Sequence, residues 1–383
     1  MKSNYKYLGS YIEFLNSRAL NHESILDLDS IRGISSISKN FIKTKANLVG
    51  VVADKYKVVE SGFFAYNPNT ARMGDRIPIA LNQFDYPVLV SSIYPTFKIN
   101  DINKLLPEYL MMWFHRPEFD RYARFMSHGS AREVFDIDEM NGIMLPIPSI
   151  TKQKEIVKEY NIIVNYIALN QQLIQKLEET AQAIYKQWFV DEGNENKKVK
   201  LNEYIRTNPP LSIKKNAIAT YVEMNDLTTT SMRISGSIKR EFIGGSKFQN
   251  GDTLLARITP CLENGKTAFV DILDEGEIAA GSTEFIVMRA KGDVSPYWVY
   301  CLARDDNFRS YAIGSMVGSS GRERVHEKYL DDYVLPEINS DKMNEFNFKM
   351  RPIFKSINIK SNEIIGLTEL KDLLLSKLAT IEN

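Results

Sequence analysis

The chain has 383 residues, of which 44% are hydrophobic and 25% charged, and this predicts a folded protein with more than one ordinary domain. The 48 basic and 48 acidic residues balance, which counts against a generic, charge-driven nucleic-acid binder but leaves room for a sequence-specific one. We expect no membrane span and no signal peptide, because no apolar stretch is long enough for either. The cysteines, Cys261 and Cys301, are expected to be free thiols in a cytoplasmic protein.

In chain order, the first half opens with YLGSYI and continues into segments of β-rich composition that contain the turn at Gly62. A helix is predicted from Pro107 to about Met126. A loop rich in Gly and Ser follows, and the half ends at Leu145-Pro146.

The second half repeats this order at a period of about 190 residues. KLNEYI corresponds to the first opening, and Gly251 lies before a similar apolar run. The predicted helix extends from Pro296 to about Ile313, and the exit is Leu335-Pro336. The chain is therefore an internal duplication.

A long helix with apolar residues at alternating steps of four and three follows each exit, which is typical of a coiled-coil seam. A polar residue occupies the same step of both helices, and Pro352 is expected to start or kink the second helix. The predicted helix-pairing residues are Ile156, Ile163, Ile167, Asn170, Ile174 and Leu177 in the first helix and Ile353, Ile357, Lys360, Ile364 and Leu367 in the second.

These patterns predict an α+β protein with two similar globular domains joined by two long antiparallel coiled-coil helices, related by pseudo-two-fold symmetry. The predicted segments are a first domain (1–148), a first helix (149–192), a second domain (193–338) and a second helix (339–383).

Three segments of the sequence resemble the specificity subunit of type I restriction–modification enzymes. They are LPIPSITKQKEIV, NQQLIQKLEETAQAIYKQWF and SNEIIGLTELKDLLLSKL. The second exit departs from the family pattern, because it lacks the second proline and the glutamine.

The resemblance implies two target recognition domains that bind a bipartite double-stranded DNA site. It also implies that the helices dock methyltransferase subunits, with a restriction subunit joining them. The chain would be non-catalytic, and S-adenosylmethionine, ATP and Mg²⁺ would belong to the partner subunits.

Two alternatives remain open. The sequence NPPL at Asn208–Leu211 resembles the Asn-Pro-Pro-aromatic loop of DNA amino-methyltransferases, but a leucine replaces the aromatic residue and no cofactor turn is found; we predict an ordinary turn. A coiled-coil scaffold without DNA binding would also fit the heptads.

DNA-contact candidates were selected from Gly/Ser loops and matching turns, where small residues let the backbone approach phosphate and basic or hydroxyl side chains reach phosphates or bases. They are Arg72, Arg76, Ser130 and Arg132 in the first half and Arg257, Thr259, Lys266, Arg322 and Arg324 in the second. The arginines of the Gly/Ser loops could instead pair with Glu133 or Glu323.

Overall fold

The computed structural model describes residues 4–22, 27–69, 76–128, 133–192 and 197–381. The chain divides into two compact units. Unit 1 comprises Met1–Tyr166 and Gly366–Asn383, and unit 2 comprises Ile167–Ile365. Each unit combines one globular half with a segment of both long helices, and the four segments predicted from the sequence stay a prediction.

Unit 1 is built on a four-stranded antiparallel sheet of order β2-β9-β6-β7, supplemented by the pairs β1-β10, β3-β4 and β5-β8. The strands are β1 (Tyr5–Tyr7), β2 (Ile12–Leu15), β3 (Arg32–Ile34), β4 (Phe41–Lys43), β5 (Lys57–Val59), β6 (Phe64–Tyr66), β7 (Ile79–Leu81), β8 (Val88–Val90), β9 (Thr96–Ile99) and β10 (Met144–Pro146). The helices are α1 (Pro107–Phe114), α2 (Pro117–Met126), α3 (Ile137–Asn141) and α4 (Ile150–Tyr185), the last of which continues into unit 2 and a π-helical turn, Lys186–Asp191.

Unit 2 has the corresponding sheet, of order β12-β19-β16-β17, together with a second sheet of order β14-β13-β18-β15 and the pair β11-β20. The strands are β11 (Lys198–Lys200), β12 (Ile205–Thr207), β13 (Ile218–Val222), β14 (Ile238–Glu241), β15 (Ser246–Phe248), β16 (Thr253–Ala256), β17 (Thr267–Phe269), β18 (Ala279–Gly281), β19 (Phe285–Ala290) and β20 (Val334–Pro336). The helices are α5 (Pro296–Arg304), α6 (Asp306–Gly314), α7 (Glu327–Asp331) and α8 (Ser340–Lys377), whose last part lies in unit 1.

The predicted duplication is confirmed, because the two units share the order of their first sheet and the order of the helices that follow it. Both predicted glycine turns are also present. Gly62 and Gly251 have φ of +79° and +90°, and each donates a backbone hydrogen bond at 2.8 Å to the partner strand of a hairpin. A side chain rarely adopts this conformation, which explains the glycine in both copies.

Each helix predicted as one continuous element is instead a pair of helices. In unit 1, Arg116 is extended (φ −71°, ψ 135°), as the residue before a proline tends to be, and Pro117 begins α2. In unit 2, the carboxylate of Asp305 accepts hydrogen bonds from the backbone N–H groups of Asn307 and Phe308, so it caps α6 and separates it from α5.

The two long helices begin at matching polar caps. The Ser149 hydroxyl accepts a hydrogen bond from the Lys152 backbone N–H at 3.4 Å, and the side-chain Oδ1 of Asn339 accepts one from the Asp341 backbone N–H at 2.7 Å. Of the two outcomes expected for Pro352, starting or kinking the second helix, the first is wrong, because α8 begins at Ser340 after the cap at Asn339 and contains Pro352 in its interior.

The long helices pair within unit 2. Asn170 of α4 donates a hydrogen bond of 3.0 Å to the carboxylate of Glu363 of α8, while the rings of Trp188 and Phe346 lie 6.2 Å apart. As the residue number increases along the first helix, from 170 to 188, the number of the contacted residue in α8 decreases, from 363 to 346. The predicted antiparallel pairing is therefore confirmed. In unit 1, Ile156 near the start of α4 shares the apolar core with the end of α8.

The predicted pairing residues are buried or half-buried, and their individual roles in pairing stay a prediction. Those that are buried are Ile156, Ile163, Asn170, Ile174 and Ile357. Those that are half-buried are Ile167, Leu177, Ile353, Lys360, Ile364 and Leu367. On α8 the buried stripe drifts by one residue to Phe354 and Ser361, since a straight helix has 3.6 rather than 3.5 residues per turn.

Glu178 joins α4 to the globular part of unit 2. Its half-buried carboxylate accepts hydrogen bonds from the Ser231 hydroxyl at 2.7 Å, the Met232 backbone at 3.0 Å and the Tyr300 hydroxyl at 3.3 Å. We expect Glu178→Ala to lower the free energy of unfolding of unit 2 by about 2 to 3 kcal/mol, because these donors lose their acceptor. Chemical denaturation of the full chain, followed through unit 2 tryptophan fluorescence, measures the change.

Glu178→Gln is the matched control, because its amide oxygen can still accept hydrogen bonds. Burial raises the pKa of Glu178 above its ordinary value of 4.5, so this carboxyl contributes stability below pH 4.5 that is lost as the pH rises through the folded-state pKa. The glutamine variant does not titrate and should lack this loss. Equal destabilisation by alanine and glutamine at every pH would contradict the assigned contacts.

Candidate nucleic-acid interface

In unit 2, the candidate residues lie on two adjacent loops. One loop connects β16 to β17, and the other, residues 317–324, forms a hairpin that lies between α6 and α7. Arg324 is paired with Ile258 of the first loop and with Val317 across its own hairpin, and the Val325 backbone donates to the Arg257 carbonyl at 2.9 Å. The loops thus form one short ladder, which we call the unit 2 loop ladder.

Unit 1 contains the same ladder. Val134 is paired with Asn69 and with His128, and the Phe135 backbone donates to the Pro68 carbonyl at 2.9 Å. The repeat of these pairings gives the described residues that flank the candidate loops equivalent positions within their own units. Three predicted contact residues of unit 1 lie outside the described residues: Arg72, Ser130 and Arg132.

Two arginines of the unit 2 loop ladder bind carboxylates of their own unit. Arg324 forms a bidentate pair with Glu284, with N···O distances of 2.8 to 3.0 Å, and these hydrogen bonds raise the pKa of Arg324. Arg257 lies 3.7 Å from the carboxylate of Glu327. These two arginines are therefore partly neutralised within the protein.

Thr259 and Lys266 also contact the protein. The Thr259 hydroxyl donates to the Glu323 carboxylate at 3.2 Å, and the Lys266 ammonium donates to the Met224 carbonyl at 2.7 Å. Lys266 is half-buried, so its charge is directed toward the protein rather than outward.

Arg322 differs from its neighbours because it is exposed at the hairpin. Its backbone N–H donates to the Ser319 carbonyl at 2.9 Å, and its carbonyl accepts a hydrogen bond of 3.0 Å from the Arg324 guanidinium. Across the described part of unit 2, its own guanidinium has no hydrogen bond or ion pair. It is the candidate cation best placed to meet an anion from solution.

In unit 1, the exposed candidate Arg76 borders a cavity of about 1050 Å³. His115 lies in the same cavity, where burial, with the neighbouring charges of Lys39 and Lys371, lowers its pKa to about 4, so it is neutral at pH 7. Basic side chains outnumber acidic ones in the lining, which is compatible with an anionic ligand near Arg76.

The sequence left Glu133 and Glu323 open as partners for the loop arginines. Among the described residues, Arg324 binds Glu284, Glu323 accepts from Thr259, and the Glu133 carboxylate lies 2.5 Å from Arg124. Glu284 is 40 residues from Arg324 and directly precedes β19, so no local sequence signal links the two.

In the NPPL segment the chain bends at Asn208, and the ordinary turn expected there stays a prediction. Asn208 follows β12 with φ of +44°, its backbone donates to the Val287 carbonyl at 2.7 Å, and its side-chain oxygen accepts from the Val287 backbone at 3.0 Å. Its side chain therefore extends the pairing of β12 with β19. Over the described ranges, no cluster of three or more His, Cys, Asp or Glu side chains could hold a metal ion, and no helix is long and apolar enough to cross a membrane.

Comparison with known proteins finds similarity to type I specificity subunits over part of the sequence and to a type I S subunit in fold. No family model matches the chain. It is 30% identical over 102 residues to the type I restriction enzyme EcoEI specificity subunit of Escherichia coli, a match that covers 26% of this chain and 16% of that protein. It is 34% identical over 94 residues to the EcoAI specificity subunit of the same organism, covering 24% of this chain and 16% of that protein.

The crystal structure of the type I restriction–modification system S subunit from M. genitalium has the same fold, with a TM-score of 0.60 at 11% identity over 100% of this chain and 98% of that one. The chain thus has the fold of a type I S subunit. The resemblance to type I specificity subunits inferred from the sequence is confirmed, although the matched stretch spans only about a sixth (16%) of the two named relatives.

Proposed function

We propose that the chain is the DNA-recognition subunit of a type I restriction–modification enzyme. Each unit binds one half of a bipartite double-stranded DNA sequence, and the long helices bind partner subunits. The observation that carries this proposal is the repeated loop ladder, because the described residues that flank the candidate loops pair in the same way in both halves of the chain, on the same sheet framework.

The length of the helices fits a bipartite target. A helix of about 40 residues is roughly 60 Å long at 1.5 Å per residue. This length corresponds to between one and two turns of B-DNA at about 34 Å per turn, which is the scale of a bipartite site on one duplex.

An exposed apolar stripe on α4 supports the binding of partner subunits. Ile162, Tyr166, Leu169 and Leu173 follow steps of four, three and four, and each is 40% exposed or more. Ile162, Leu169 and Leu173 directly precede the buried Ile163, Asn170 and Ile174. Helix α4 therefore has a second, exposed apolar stripe beside its pairing stripe. Exposed stripes with heptad spacing are typical of helices that pack against another chain.

The proposed partners are methyltransferase subunits, with a restriction subunit joining the assembly. In this proposal, S-adenosylmethionine, ATP and Mg²⁺ belong to those partners, and the chain itself performs no chemistry. Its contribution is to select the DNA sequence on which they act.

Two measurements test the proposal. Selection of duplexes from a randomised library by the purified full chain should enrich two short sequence blocks at a fixed separation. Incubation of the chain alone with DNA and labelled S-adenosylmethionine should transfer no methyl groups.

The outcomes separate the alternatives. Methyl incorporation by the chain alone would indicate a DNA amino-methyltransferase, although the Asn208 oxygen is already bonded to the Val287 backbone. Absence of any enriched duplex would favour a coiled-coil scaffold. A single block instead of two would mean that only one unit contacts bases.

A further inference from the structure

The 317–324 hairpin of unit 2 contains two arginines with opposite surroundings. Arg324 is bound on both sides, by the Glu284 carboxylate and by backbone pairing to Val317 and Ile258. Arg322 is exposed, two residues earlier on the same hairpin. Arginines so close in sequence would appear equivalent, and the structure assigns them different roles.

The guanidinium of Arg324 connects the carboxylate to the hairpin. Its Nε and Nη2 atoms bind Glu284 at 2.8 to 3.0 Å, while its Nη1 atom donates to the Arg322 carbonyl at 3.0 Å. The Glu284 carboxylate therefore fixes the guanidinium, and the guanidinium fixes the backbone from which Arg322 extends.

Glycines allow the hairpin to fold this tightly. Gly318 has φ of +140°, and a Cβ atom there would lie 3.1 Å from the Arg322 carbonyl oxygen. Gly321 has φ of +76°, which side chains rarely adopt. Ser319 and Ser320, the other residues of the turn, are small and exposed, so a phosphate group can approach the backbone beside Arg322.

We propose that Arg322 binds a phosphate of the DNA half-site contacted by unit 2, and that Arg324, held by Glu284, is the positioning residue for it. This inference rests on the proposed DNA-binding function. It goes further by separating the contact residue from the residues that orient it.

The contact is tested by the salt dependence of binding. The probe is the duplex that the parent chain selects from a randomised library, measured with the full chain between about 0.05 and 0.2 M salt. Arg322→Gln should reduce the slope of log Kd against log salt by about 0.9, the value for one phosphate contact. Arg322→Lys should keep the slope, because an ammonium also binds phosphate but cannot form a bidentate pair with guanine.

Positioning is tested by Glu284→Gln, which makes the protein more positive by one charge. If charge alone mattered, this variant would bind DNA more tightly. A positioning role predicts roughly fivefold weaker binding with the parental salt slope, because the hairpin loses its anchor. Arg324→Lys keeps the charge but loses the bidentate pair and should behave in the same way, which provides a second variant if the first fails to fold.

Lys355→Gln is the control for loss of a positive charge, because Lys355 is exposed on α8 of the same unit, and it should leave the slope unchanged. An unchanged slope for Arg322→Gln would overturn the contact, and tighter binding by Glu284→Gln would overturn the positioning role. If the parent chain selects no duplex, the proposed function itself fails, which is a different result from either of these.

Discussion

Asp120→Asn is expected to lower the free energy of unfolding of unit 1 by about 3 to 5 kcal/mol, because it leaves a buried ammonium without its carboxylate. Asp120 and Lys39 are almost fully buried, with side chains 9% and 4% exposed, and their charged atoms lie 2.7 Å apart. Lys39 also donates to the Phe114 carbonyl at 2.6 Å, and Asp120 accepts from the Ile77 backbone at 3.1 Å.

This pair connects four parts of unit 1: the turn before β4, the segment before β7, the end of α1 and helix α2. Burial lowers the pKa of Lys39, so the folded protein tolerates this charge only because the carboxylate is present. Thermal or urea unfolding of the full chain measures the loss, with the transition of unit 1 followed through Trp113, the tryptophan of that unit.

Arg121→Gln is the matched control on the same helix. The Arg121 side chain is 69% exposed and pairs with Glu118 at 3.0 Å, so its removal should change stability by less than about 1 kcal/mol. The double variant Lys39→Met, Asp120→Leu removes both charges and should recover most of the loss. An equally large loss in the double variant would show that packing, and not the charge pair, is responsible.

The order of elements could be predicted from the sequence because the duplication repeats local signals. Gly62 and Gly251 mark the same turn, Leu145-Pro146 and Leu335-Pro336 mark the same exit, and heptad spacing identifies both long helices. The prediction was wrong about the continuity of the helix in each half, which is two helices in the structure. Apolar periodicity continues past the breaks at Arg116 and Asp305, so the composition alone does not show that each helix is divided.

The candidate interface was less predictable, because it depends on contacts between residues far apart in the chain. Residue type and loop composition selected Lys266 and Arg324 as well as Arg322. Only the fold shows that the Lys266 ammonium donates a hydrogen bond to the Met224 carbonyl and that the Arg324 guanidinium donates to the Glu284 carboxylate. Arg322 is left exposed by the geometry of its hairpin, which no local pattern encodes.

The second large expected effect concerns the distance between half-sites. If each unit binds one half-site, the paired helices set the gap between them. Deleting residues 170–176 from α4 and 360–366 from α8 removes one heptad from each helix and shortens each by roughly 10 Å, about three base pairs of axial length. The apolar stripes stay in phase because one full repeat is lost from each helix.

The structure favours this choice of deletion. Asn170, Lys360 and Glu363 form one hydrogen-bonded group, since Glu363 accepts from Asn170 at 3.0 Å and from Lys360 at 2.8 Å. The paired deletion removes all three residues, so no buried polar group loses its partner. Glu178 and its contacts to unit 2 remain intact, because they follow the deleted segment of α4.

Binding selection from duplexes with varied separation between the two sequence blocks compares the parent with the shortened protein. The blocks themselves should stay the same, while the preferred gap shrinks by about three base pairs. Such a change also turns the second half-site by about a third of a helical turn around the DNA axis, so binding at the new optimum should be weaker than in the parent.

Deletion from α4 alone provides the control, because it leaves Lys360 and Glu363 without Asn170 and shifts the two stripes against each other; we expect it to unfold at lower denaturant. If the doubly shortened protein folds and binds but keeps the parental gap, the helices do not set the spacing. If the sequence blocks change instead, the DNA-binding surface must extend onto the helices. Replacing only the first globular domain with that of a relative should have the converse effect, changing one block while the gap stays constant.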